Sequence, residues 1–202
     1  MKAKRFWPLW LAVLLVLMLL GSALFVTRAS ATGTKFRWDI VSNDFATGTI
    51  NAGGFASAIA NDGSTITLTG EGTFNAASNF GNRDVTGGGT WQTFDKSGTP
   101  TASGTYQVTG FVSFTVAPGT APLPHDNIGA LEDERAGLLF VTIQYSDGST
   151  GVLTVSCHLV GTPNSVFEGI RVSKGFVDYW NGKAPVPGVN GNRTNFHILD
   201  HN

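Results

Sequence analysis

One cysteine, Cys157, serves the whole 202-residue chain, so no disulfide can form within it and packing alone must hold the fold. Methionine occurs only at Met1 and Met18, which leaves everything after the first thirty-one residues with little sulfur to oxidise. Charge is also scarce. Setting aside Lys2, Lys4, Arg5 and Arg28 leaves nine basic residues against fourteen acidic ones, a net charge of −5, and that balance excludes the basic footprint of a nucleic-acid-binding domain. The chain has no Gly-x-Ser-x-Gly elbow, no His-Glu-x-x-His pair, no phosphate-binding loop and no Cys-x-x-Cys pair. The common hydrolase and metalloenzyme routes therefore find no support, and no cofactor is implied. After the N-terminal segment, no stretch shows the apolar spacing of an amphipathic helix.

What is present begins with a targeting segment. Lys2, Lys4 and Arg5 form a basic region, Phe6 to Leu20 an apolar one, and Ala29-Ser30-Ala31 a small-residue cleavage site, so residues 1–31 read as a signal peptide helix. Phe6 to Val26 carries no charge and could span a bilayer if it were not cut, in which case it would be a single-pass anchor and the only membrane contact. Either way residues 32–202 are sent out of the cytoplasm, to the cell envelope or beyond. They suit a single domain, large enough to bury roughly two thirds of the surface of the unfolded chain.

That domain alternates. Phe36 to Ile40 reads as a first strand, and Gly48 to Ala60 as a weaker second one. After the turn signal Asn61-Asp62-Gly63, Ile66, Leu68, Gly70, Gly72 and Phe74 share one face of a ten-residue run, a period of two that no helix keeps. Gly72-Thr73-Phe74, Gly89-Thr90-Trp91 and Gly104-Thr105-Tyr106 repeat a short pattern in which glycine leaves room for a neighbouring ring, as in a curved β-meander. Tyr106, Val108, Gly110, Val112, Phe114 and Val116 form the clearest apolar stripe, with Phe111 out of place on the polar side. From Ala117 to Ala136 the alternation stops, which marks a functional loop, a lid or a short helix. Val166 to Val172, Phe176 to Trp180 and Phe196 to Leu199 resume it.

The central hairpin, Leu138 to Val160, can be read in register. A two-residue turn at Asp147-Gly148 would mix the two faces; a three-residue loop, Ser146-Asp147-Gly148 with the glycine left-handed, sets Val141 beside Leu153 and Leu139 beside Val155. The second choice puts Leu139, Val141, Ile143, Leu153, Val155, Cys157 and Leu159 on an apolar face, and Thr142, Gln144, Thr154, Ser156 and His158 on the other. Eight or nine strands without a helix must close into a barrel or stack as a sandwich. The expected fold is thus all-β: an antiparallel eight-stranded barrel or, alternatively, a β-sandwich.

Gly104-Thr105-Tyr106-Gln107-Val108-Thr109-Gly110, followed by Phe114, resembles the Gly-x-Tyr-x-Val-x-Gly strands of the allene oxide cyclase and dirigent-like barrels, and Thr86 to Trp91 is a looser echo. The resemblance covers about a third of the domain. It implies an eight-stranded barrel whose apolar lumen holds a hydrophobic molecule; no catalytic residue of either family matches a position here. The chain also looks like exported bacterial proteins without an assigned role.

Cys157 and His158 invite a nucleophile-and-base reading, but adjacent strand residues point to opposite faces, so Cys157 belongs to the core. His158 faces either solvent or a lumen; in the second case its polar row would orient a ligand together with Phe140 and Phe111. Glu168 and Asp178 are carboxylates in apolar surroundings, where a raised pKa suits acid–base work, although each also fits an outward strand position. Phe176, Tyr179 and Trp180 could stack on a ligand. His125, Asp126, Glu132, Asp133 and Glu134 offer oxygen ligands for a hard cation but match no known loop, and a solvated acidic surface accounts for them better. Asn192-Arg193-Thr194 would be a glycosylation acceptor in a eukaryotic secretory pathway. The expected ligand set is His158, Glu168, Phe140, Phe111 and Trp180, with no metal, acting on a small apolar molecule or a surface partner. Two alternatives stand beside it: a cyclase- or isomerase-like enzyme using Glu168, His158 or Asp178 in the lumen, and a structural or adhesive envelope domain with a filled interior.

Overall fold

A computed structural model describes residues 33–78, 84–183 and 191–200; the expected targeting segment, residues 1–31, lies outside them. Contacts gather Thr32–Asn202 into one compact unit. The described chain is all-β. Its strands are β1 (Lys35–Asp44), β2 (Thr49–Asn51), β3 (Ala56–Ile59), β4 (Thr65–Leu68), β5 (Glu71–Asn75), β6 (Gly88–Phe94), β7 (Pro100–Ala117), β8 (His125–Asp126), β9 (Glu134–Tyr145), β10 (Thr150–Cys157), β11 (Gly169–Lys174), β12 (Val177–Tyr179), β13 (Asn181–Gly182) and β14 (Arg193–Ile198). A single 3-10 turn, Leu131–Asp133, is the helical part of the 117–136 break.

Six strands close on themselves in the order β9, β14, β1, β5, β6, β7 and back to β9, every pair antiparallel. The molecule is thus a closed barrel and not a sandwich, and the closed ring has six strands where eight were expected. Two arms leave it. From the other edge of β9 run β10, β11 and β12; from β6 run β4, β3 and β13. The arms meet at Trp180, the one residue between β12 and β13.

The difference in strand count has a local cause. The run from Thr65 to Phe74, expected as one strand, breaks at Thr69-Gly70, so that β4 joins an arm while β5 stays in the ring. Tyr106 occupies the break: its hydroxyl donates to the Thr69 carbonyl at 2.9 Å and lies where a side chain at position 70 would have to go. Glycine making room for a neighbouring ring recurs at Gly72 and Gly87, which flank the Trp38 indole, and at Gly104 beside Trp91. The three aromatics of the repeated pattern, Phe74, Trp91 and Tyr106, all point inward and are buried.

The central hairpin has the expected register, Val141 opposite Leu153 and Leu139 opposite Val155, with Gly148 left-handed at φ 87° in the loop. The stripe on β7 is corrected. Bulges between Val108 and Gly110 and between Phe111 and Ser113 shift the parity, so Phe111 turns inward opposite Val141, and Phe114 follows it three residues later. Phe36, Phe74, Phe111, Phe114 and Phe196 then form one cluster of rings, with centroids 4.8 to 6.2 Å apart for the touching pairs. Trp38, Leu139, Val141, Leu153, Val155 and Cys157 complete the same core at 0% exposure.

Candidate functional site

Strands β1 and β14 are buried on both sides, which a barrel wall facing water cannot be. Trp38, Ile40 and Phe196 face the core. On the reverse side, Arg37 stands opposite His197 and Asp39 opposite Asn195; Asp39, Asn195 and His197 are buried, and Arg37 keeps part of its surface. The cover is the strap formed by residues 118–133 with β2. It is tied down by parallel pairing of β8 with β2, by the Thr120–Val160 bridge, and by Thr162, which donates to the Pro118 carbonyl. The break in alternation therefore marks a second layer laid over a polar strip of wall.

Beneath the strap the charges are partnered in part. Arg37 holds Asp39 through two bonds of 2.7 Å and also reaches Glu71. Burial nevertheless raises the Asp39 carboxyl above its ordinary pKa, against the pull of Arg37. Asp126, on the strap, meets His197 Nε2 at 2.7 Å, both side chains being almost fully enclosed. Burial pushes the Asp126 carboxyl up, but the His197 contact and the Ile128 and Gly129 N–H groups outweigh it and hold it below its ordinary value. A side chain at position 129 would collide with the His197 ring, so Gly129 is what lets the strap lie flat.

Next to this pair is a small, partly open chamber of about 20 Å³, lined by Val41, Asn43, Ile50, Pro122, Glu134, His158, Leu159, Glu168, Arg193, Thr194 and Asn195. The Glu168 residue shows some surface, yet its carboxylate turns inward and accepts the His158 N–H at 2.5 Å and the Thr194 N–H at 2.7 Å. Burial pushes its pKa up to about 8 in spite of those two donors. Burial, with the Asp126 charge added, pushes Glu134 up to about 7. His158 fixes its ring on the Val166 carbonyl through Nδ1 at 2.7 Å. Two carboxyls poised near neutrality beside an imidazole have the makings of acid–base chemistry, but the chamber has room for a single water molecule and no substrate.

The outside of the barrel is chemically different. Thr67, Gln92 and Ser103 align across β4, β6 and β7; Thr90 aligns with Thr105, and Gln107 with Gln144. Thr69 and Thr90, and Thr109 and Thr142, join their hydroxyls at 2.8 and 3.0 Å. These positions carry hydroxyls and amides and no charge. At one border of this face a groove of about 420 Å³, lined by Ala52, Gly53, Thr69, Gly70, Glu71, Gly88 and Gly89, opens where β4 and β5 part from each other beside β6.

The five expected ligand residues do not come together. His158 and Glu168 line the chamber. Phe111 lies in the core at 3% exposure, stacked on Phe74. Phe140 is half-buried on the outer side of β9, opposite Thr154 and Ser113. Trp180 is 47% exposed where the arms meet, its indole N–H donating to Asn61. Asp178 faces solvent opposite Ser173. Asp126 is spent on His197, and among the described residues no His, Cys, Asp and Glu groups gather as a metal would need. Cys157 is fully buried on the core side, with its thiol pKa raised well above the ordinary value by that burial. Asn195, His197 and Asn43 carry no signal of their own in the sequence, and Arg193 figures there only within the Asn192-Arg193-Thr194 acceptor. The alternation of Arg193, Asn195 and His197 with Thr194, Phe196 and Ile198 was the available signal. No family model matches the chain, and neither the curated proteins nor the solved structures yield a match.

Proposed function

We propose that this is an exported barrel domain that works through its outside, engaging a surface partner along the uncharged face and the glycine-lined groove and carrying no molecule in a lumen. The observation that supports this reading is the filled interior: rings from β1, β5, β7 and β14 touch one another across the space where a ligand would sit. A pocket for a small apolar molecule needs several hundred Å³. The chamber, at about 20 Å³, falls far short, so the acid–base groups around it have nothing to act on. The groove is large enough but open, and its walls are mostly glycine backbone with Ala52, Thr69 and a Glu71 carboxylate already paired with Arg37, which suit hydrogen bonding to a neutral, hydroxyl-rich surface better than burial of an apolar one.

Native mass spectrometry of the exported chain tests the first half: a bare polypeptide mass is expected, and a co-purifying apolar compound would overturn the reading. Co-sedimentation with envelope fractions of the host tests the second. Binding is expected to survive added salt, because no charge pairs carry it, and to be lost in a Thr90→Arg/Thr105→Arg variant. A wild-type chain that stays in the supernatant, or a variant that sediments as well as wild type, sinks the proposal.

A further inference from the structure

The chamber wall contains a set of polar atoms with no partner. Glu134 Oε2, Asn43 Oδ1, Arg193 Nε and both amide atoms of Asn195 are enclosed and bonded to nothing. Glu134, Asn43 and Asn195 are 5%, 6% and 1% exposed. Asn195 lies beside Glu134 and its amide favours the charged carboxylate, but the contact falls short of a well-formed hydrogen bond. Leaving even one such atom bare is costly, so a cluster facing one small space calls for an occupant.

We propose that the chamber is a binding site for one water molecule, shared by Glu134, Arg193, Asn195 and Asn43, which ties β9 to β14 and β1 at one of the two short seams of the barrel ring. Volume sets the size, since about 20 Å³ admits a single heavy atom. The chemistry of the wall sets the identity. Arg193 Nε and Asn195 Nδ2 are donors, and would repel a metal ion or an ammonium; Glu134 Oε2 and the two amide oxygens are acceptors, and would repel an anion. A molecule that gives two hydrogen bonds and receives two meets donors and acceptors together. Location gives it a role. β14 pairs with β9 through only Phe196–Arg135 and His197–Glu134, whereas β7 pairs with β9 from Tyr106–Tyr145 to Ala117–Ala136. The short seam has little backbone bonding, and the water would cross-link it through side chains of all three strands.

The test is a crystal structure of the exported chain at a resolution that shows ordered waters, with parallel crystals soaked in rubidium and in bromide. One peak at hydrogen-bond distance, roughly 2.7–3.2 Å, from Glu134 and from Asn195 or Arg193, without anomalous signal in either soak, is the expected result. An empty chamber, or a rubidium or bromide peak within it, overturns the assignment. The seam role is read separately by hydrogen exchange. The Phe196 and His197 amides are expected to exchange at least tenfold faster in Asn195→Leu, or in Asn43→Ala should the first variant fail to fold. Unchanged exchange in a folded variant refutes the cross-link.

Discussion

The two sides of β1 and β14 hold the same strands by different means. Inward, Phe36 and Phe196 meet the rings of Phe74 and Phe114, a contact that is non-directional and indifferent to pH. Outward, Arg37 holds Asp39, and His197 meets Asp126 of the strap, where each bond depends on geometry and on protons. The contrast teaches that along these two strands the barrel keeps its carboxylates, its guanidinium and its imidazole away from the core and in a second layer. Its response to packing mutations and its response to pH should therefore come from opposite sides of one wall.

The largest expected effect is on the inner side. Phe74 touches four other rings and is fully buried, so Phe74→Ala should cost about 3–5 kcal/mol in chemical denaturation, equally at pH 5 and pH 8. A loss that varied with pH would break the separation of the two sides.

The next effect belongs to the outer side. Glu168 and Glu134 have folded pKa values of about 8 and about 7, above the value of 4.5 for a free glutamate side chain. Between the free and the folded values the native state keeps protons that the unfolded chain has released, so stability is full below about pH 4.5 and falls as pH rises towards 8. Each carboxyl contributes up to about 1.4 kcal/mol per pH unit within its window. Glu168→Gln should flatten this decline above pH 5 while lowering the acid plateau, because the amide presents N–H to one of the two N–H donors that the carboxylate satisfied. An unchanged slope in Glu168→Gln would place the titrating group elsewhere.

How much of this was legible follows the same division. The inner side was readable, because a period of two in Leu139, Val141, Leu153 and Val155 has one consistent register, and the observed pairing is that register. What failed there was parity across bulges: Phe111 looked polar-facing because Thr109 and Val112 each interrupt the count. The strand break at Gly70 was hidden too, since the alternation runs straight through it and only the Tyr106 ring from another strand requires it. The outer side was largely illegible. Glu168 follows an apolar run and looks like an outward strand position, but what fixes it is a pair of backbone N–H groups from β14 and from the residue after β10. Such convergence depends on topology. Its ligand partners His158, Phe140, Phe111 and Trp180 were chosen by type and lie in four different environments.

Cys157 and His158 offer the finest division, since they are neighbours in sequence on opposite sides of one strand. Cys157→Ser puts a hydroxyl into the fully buried apolar core, where the Phe196 backbone offers it one partner and burial still desolvates it, and should cost about 1–3 kcal/mol. His158→Ala should cost less, about 1 kcal/mol, because it removes one ring hydrogen bond to the Val166 carbonyl and leaves the His158 backbone N–H still donating to Glu168. Thermal melts of the two variants at one pH decide the matter. If His158→Ala melts earlier than Cys157→Ser, the imidazole holds the 163–168 segment and with it the Glu168 carboxylate. The outer layer would then be a structural partner of the core, equal to it, and the surface face alone would be left for function.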